Sequence, residues 1–74
     1  MRMGVIRNSE LIAAIGTDAE PGRSGNMRVK YQDGTVFEYR SVPYSTFRKI
    51  ATSRHPGQDW LKVRDQFKFK EVSH

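Results

Sequence analysis

Met27-Arg28-Val29-Lys30-Tyr31-Gln32-Asp33-Gly34-Thr35-Val36-Phe37-Glu38-Tyr39-Arg40 is the stretch on which the fold turns. Met27, Val29 and Tyr31 alternate with Arg28 and Lys30, and Phe37 and Tyr39 alternate with Val36, Glu38 and Arg40. Alternation of period two on either side of Asp-Gly reads as a β-hairpin. The side chains also set the loop length. A two-residue Asp33-Gly34 turn would pair Tyr31 with Val36 and put Lys30 on the face of Phe37, dividing the apolar residues between the two sides. A three-residue loop pairs Tyr31 with Thr35, Val29 with Phe37 and Met27 with Tyr39, which unites them. A one-residue slip turns every side chain to the other face, so the second register is expected. It needs Gly34 in a left-handed conformation, which glycine adopts without a Cβ penalty.

Downstream, Val42-Pro43 reads as the start of a helix, because proline suits a first helical turn. Tyr44, Phe47, Ile50 and Ala51 recur at i, i+3, i+6 and i+7, one helical face expected to lie on the aromatic side of the hairpin. Ser53-Arg54-His55-Pro56-Gly57 ends that helix. Asp59 then reads as the cap of a second helical segment carrying Trp60, Val63 and Phe67 on one face. At Phe67-Lys68-Phe69-Lys70 the period returns to two. This is a short final strand whose lysines discourage pairing with another sheet.

Upstream, Leu11 to Thr17 is a short apolar run whose isoleucines favour a strand, with Asn8-Ser9 as a turn ahead of it. Residues 18–26 carry Pro-Gly and Ser-Gly and almost nothing apolar, the pattern of a mobile loop. Residues 1–8 read as a flexible arm. The expectation is one α+β domain over residues 1–74, in the order β-β-β-α-α-β. It is a small antiparallel sheet with one or two helices packed on one face and a short C-terminal strand.

The chain has 74 residues, enough for one modest core. It has no cysteine, so neither a disulfide nor a thiolate metal site supplements that core, and a reducing, cytoplasmic setting is expected. Charges interrupt Met1-Arg2-Met3-Gly4-Val5-Ile6-Arg7 where a signal peptide needs an apolar run. No segment approaches the roughly 20 apolar residues that cross a bilayer. Thirteen Lys and Arg against eight Asp and Glu give a net +5. Residues 1–37 hold five basic and four acidic side chains, a net +1, whereas residues 38–74 hold eight and four, a net +4. Such a field favours anionic partners, either nucleic acid or an acidic protein face.

Reactive constellations are sought next. His55 sits in a turn with no histidine or cysteine near it, and His74 is terminal. Each carboxylate has a plain role: Asp33 in the hairpin turn, Asp59 as a cap, Glu38 and Asp65 pairing with nearby cations. Ser9, Ser41, Ser45 and Ser53 lack a histidine at motif spacing. Pro21-Gly22-Arg23-Ser24-Gly25 lacks the Gly-Lys-Ser/Thr ending of a phosphate loop. Neither catalysis, cofactor nor metal is expected. The remaining signal is cationic: Arg48, Lys49, Arg54, Lys62, Arg64, Lys68 and Lys70 are all expected to face solvent and to contact phosphates or carboxylates. Tyr39, Tyr44 and Trp60 would stack on unpaired bases where exposed, and otherwise form the core.

In order along the chain, these residues resemble the KTSC domain family, short domains named for their fusion to some lysyl-tRNA synthetases. The resemblance runs from Ile6 to Val72. Its strongest part is Gly34-Thr35-Val36-Phe37-Glu38-Tyr39 followed by Val42-Pro43, against the family's Tyr-x-Tyr and Val-Pro. Phe47, Ile50, Ala51, Ser53 and Gly57 match its helix and Ala-x-Ser-x-Gly turn. Val63-Arg64-Asp65-Gln66-Phe67 is similar to its Ile-Arg-x-x-aromatic segment, and Asn8-Ser9 and Ile15-Gly16-Thr17-Asp18 to its Ser-Ser and Gly-Tyr-Asp. Phe37 and Thr17 depart from it, each standing where the family has tyrosine. So does Leu61, near a usual asparagine, and the loops around Glu20 and Arg54 are longer. The resemblance implies a non-enzymatic function for which RNA binding has been suggested. Size, basicity and coverage also resemble small phage transcription regulators that bind the host's bacterial RNA polymerase, block initiation and permit antitermination. That implies work in the host bacterial cytoplasm.

Overall fold

A computed structural model describes residues 2–72. The hairpin forms in the register that unites its apolar residues. Strands β3 (Ser24–Tyr31) and β4 (Val36–Pro43) pair Met27 with Tyr39, Arg28 with Glu38 and Val29 with Phe37. The Tyr31 amide donates to the Thr35 carbonyl at 2.9 Å and the Gly34 amide to the Tyr31 carbonyl at 3.0 Å. Gly34 takes φ +92°, as the three-residue loop requires. Asp33 Oδ1 accepts from both the Thr35 amide and its hydroxyl, and these bonds hold the carboxyl below its ordinary pKa.

Around this hairpin the sheet is an antiparallel meander in the order β1-β2-β3-β4-β5. It adds β1 (Gly4–Val5), β2 (Ile12–Thr17) and β5 (Phe69–Glu71). Residues 1–8 therefore contain an edge strand where an arm was expected, with Gly4 opposite Ile15 and Val5 opposite Ala14. The loop read over 18–26 is likewise shorter, since Ser24 to Asn26 belong to β3. His74 lies outside the described residues.

Two bulges set which side chains face inward. On β2 the register shifts between Ile12 and Ala14, so Ile12 and Ile15 share a face. On β4 an extra residue at Arg40-Ser41 shifts the pairing between Gly25 and Met27, turning Tyr39 and Val42 to the same side. Ser41 adopts φ +56° to make that bulge.

Helix α1 (Tyr44–Ala51) starts one residue after Pro43, which is extended and precedes the helix where a first-turn proline was expected. Ile50 is buried and Tyr44 and Phe47 half-buried, but Ala51 is exposed and lies off the face assigned to it. Helix α2 (Pro56–Val63) begins at Pro56, its first-turn residue. Asp59 thus lies inside α2 and does not cap it. Its carboxylate accepts from the Ser53 hydroxyl at 2.5 Å, and Ser53 Oγ accepts the His55 amide at 2.9 Å, which ties the interhelical turn to α2. A 3-10 turn (Arg64–Gln66) leads into β5.

The core joins Ile12, Ile15, Met27, Val29, Tyr31, Tyr39 and Val42 of the sheet to Ile50 of α1 and Trp60 of α2. Fully burying each large aliphatic or aromatic side chain contributes about 2 kcal/mol. All of these lie on one side of the sheet, so both helices pack there and the other side has no helical layer. Among the described residues no helix is long and apolar enough to cross a membrane.

Candidate binding surface

Antiparallel partners directly opposite one another present their side chains on the same face, so the pairing lists the open face row by row. One row runs Gly16, Arg28, Glu38, Lys70, and a second runs Val5, Ala14, Lys30, Val36. Arg40 and Lys68 form a third, joined by the Arg40 amide donating to the Lys68 carbonyl at 2.9 Å. Neighbouring strands are about 4.8 Å apart and same-face positions along a strand about 7 Å. Arg28, Lys30, Arg40, Lys68 and Lys70 are thus brought together, with one carboxylate, Glu38, among their cross-strand partners. That carboxylate is already engaged. Arg28 Nε donates to Glu38 Oε1 at 3.0 Å, and Glu38 is only 8% exposed.

Gly16 shapes one border of this face. A Cβ there would run into the Arg2 carbonyl and lie 3.1 Å from Met3 Cγ, so the N-terminal segment lies over Gly16, next in register to Arg28. Only the absence of a side chain permits that approach.

On the helical side the aromatics close into a hydrogen-bonded cluster. Trp60 Nε1 donates to the Tyr31 hydroxyl at 3.0 Å, and the Tyr31 and Tyr39 hydroxyls meet at 2.5 Å. Trp60 stands edge-on to Tyr39, ring centroids 4.8 Å apart, and stacks on Phe67. Burial, reinforced by the Tyr31 hydroxyl, raises the Tyr39 pKa. Trp60 and Tyr39 are therefore core, and only Phe69, 57% exposed, offers an open aromatic face in this region. Phe69 borders a groove of about 250 Å³ also lined by Tyr31, Phe37 and Arg64.

No model of a known protein family matches this chain, and no curated protein does.

The seven cations singled out by sequence divide among three places. Arg48 and Lys49 are exposed in the last turn of α1, Lys62 is exposed on α2, and Arg54 is exposed in the turn between the helices. Lys68 and Lys70 lie at the edge of the open sheet face, one just before β5 and one within it. Arg64 is less open than the other six, its side chain 40% exposed. It is half-buried at the start of the 3-10 turn, where the Tyr31 hydroxyl beside it raises its pKa, and it stands 4.0 Å from Asp65.

Among the described residues the ion pairs within 4.0 Å are Arg28–Glu38 and Arg64–Asp65. The other six nominated cations have no carboxylate of a described residue within that distance, and nor do Lys30 and Arg40. Arg28, Lys30 and Arg40 were missed because they fall outside the run of charge in helices and C-terminal strand. The signal was in the hairpin, where alternation opposes Arg28 and Lys30 to the apolar face.

Proposed function

We propose that this chain is a non-enzymatic binding protein. It acts as a phage-type transcription regulator that binds bacterial RNA polymerase, inhibits initiation and promotes antitermination in the host bacterial cytoplasm. The observation that carries the binding role is the set of exposed cations without carboxylate partners among the described residues, six of the nominated seven being exposed. Such a surface associates quickly with acidic faces and discriminates against basic ones. Burial of Tyr39 and Trp60 takes two of the three aromatics nominated for stacking out of reach of bases, which favours a protein partner. The choice of polymerase is supported by the overall resemblance, in size, basicity and coverage, to small phage transcription regulators.

Affinity capture from a nuclease-treated bacterial lysate tests this reading. Polymerase subunits should be retained on the immobilised chain, and their absence would refute the proposal.

RNA binding is the second reading, favoured by one observation: exposed Phe69 shares a groove with Arg64. It predicts RNA affinity that falls steeply with salt and weakens in Phe69→Ala. No mobility shift at low salt with submicromolar protein would remove it.

A further inference from the structure

We infer that the open face of the sheet, through Arg28, Lys30, Arg40, Lys68 and Lys70, is the surface that docks on a carboxylate-rich face of a protein partner. The inference rests on the polymerase reading and names the part of the chain that makes the contact.

Three features distinguish this face from the cationic helical side. Its charges are held by strand pairing. Arg28, Glu38 and Lys70 are consecutive cross-strand partners, and Arg40 and Lys68 are joined through their backbones. On α1 and α2 the cations project from separate helices. Next, the one carboxylate paired across the strands with these cations is spent on Arg28, which leaves an excess of four positive charges among them, five cations less Glu38. Opposite charge on the partner is what such a face selects.

Its uncharged residues then decide the class of partner. Val5, 71% exposed, and half-buried Val36 lie in the same row as Ala14 and Lys30, so apolar surface is interleaved with the cations. Protein interfaces combine apolar contacts with polar ones, whereas a phosphate backbone has no use for valine. Among the described residues of the sheet no aromatic side chain faces this way, since Tyr31, Phe37, Tyr39 and Phe69 belong to the helical side. Base stacking therefore has no platform here.

Two triple variants carry the test, measured by titrating purified bacterial RNA polymerase into labelled protein. Lys30→Glu/Lys68→Glu/Lys70→Glu reverses the sheet face. Arg48→Glu/Lys49→Glu/Lys62→Glu makes the same change of net charge on the helices, which controls for charge as such. All six positions are exposed, and thermal melting of each variant checks that the fold is retained. The sheet variant should raise Kd about 100-fold, roughly fivefold for each reversed contact, and the helix variant less than about fivefold. Glu38→Gln keeps an acceptor for Arg28 Nε and removes the opposing charge, so it should bind equally or more tightly. A residue that merely supported the fold would not behave so.

Equal losses in both triple variants, or a loss confined to the helix variant, would overturn the inference and leave the polymerase reading intact. A sheet variant that keeps polymerase but loses a duplex RNA probe would overturn the commitment to a protein partner. Wild-type protein that binds no polymerase would sink the functional reading and this inference with it.

Discussion

The Tyr31 hydroxyl holds two buried neighbours at once, accepting from Trp60 Nε1 and meeting the Tyr39 hydroxyl. Tyr31→Phe leaves the indole N–H of a fully buried Trp60 without a partner, whereas Tyr39→Phe leaves the Trp60–Tyr31 bond in place. An orphaned buried donor costs more than a lost neutral hydrogen bond. Urea denaturation should show a loss of about 3 kcal/mol for Tyr31→Phe and about 1 kcal/mol for Tyr39→Phe. Equal losses would contradict the assignment. The raised pKa of Tyr39 adds a pH dependence whose sign is fixed. Below the unfolded tyrosine pKa of about 10, both states are protonated and the contribution is full. As pH rises past about 10 the unfolded chain ionises first, so stability falls. Melting at a series of alkaline pH values should show that Tyr39→Phe falls less steeply than wild type. Arg28 and Glu38 show what residue patterning already contains, since alternation placed both opposite the apolar face. The phenolic cluster was not legible there, because it joins residues 29 positions apart.

Helix α2 packs on the turn just before β2 through a glycine, and the consequence runs against intrinsic propensity. Alanine favours a helix over glycine by about 1 kcal/mol. A Cβ on Gly57, however, would stand 2.9 Å from Ser9 Oγ and 3.1 Å from Leu11 Cβ. Ser9 Oγ is fixed there, accepting from the Leu11 and Ile12 amides. Gly57→Ala should therefore destabilise by about 1 to 3 kcal/mol in chemical denaturation, and a gain would show that α2 is free to shift. The β4 bulge gives a second contrast at this scale. Ser41 occupies the left-handed region, so Ser41→Gly should leave stability unchanged or raise it by up to about 1 kcal/mol, and Ser41→Val should lower it by about 1 to 2 kcal/mol. Matching melting temperatures for the two would contradict the strain. The hairpin register was legible because a slip would have divided Met27, Val29, Tyr31, Phe37 and Tyr39. The bulges were not, because Ile12/Ile15 and Tyr39/Val42 share a face only once a core forces an extra residue into each strand. Gly4–Val5 offers too few residues for alternation to appear, and Pro43 is compatible with a strand end as well as a helix start.

For the molecule as a whole, summing charge along the chain assigned the basic character to residues 38–74 and left the first half near neutral. Folding redistributes it. Strand pairing carries Arg28 and Lys30 from the near-neutral half to Arg40, Lys68 and Lys70, while Arg48, Lys49, Arg54 and Lys62 stay on the helical side. The net charge was legible in one dimension, but the face it occupies was not, because register and bulges decide which side of the sheet each cation takes. If these cations carry the contact, association with polymerase must weaken as salt screens them, over a Debye length of about 10 Å at 0.1 M and 3 Å at 1 M. The decisive measurement is the Kd of purified bacterial RNA polymerase for the wild-type chain across that range of ionic strength. The account predicts a steep, continuous rise in Kd with salt. Tight binding that is indifferent to salt would contradict it.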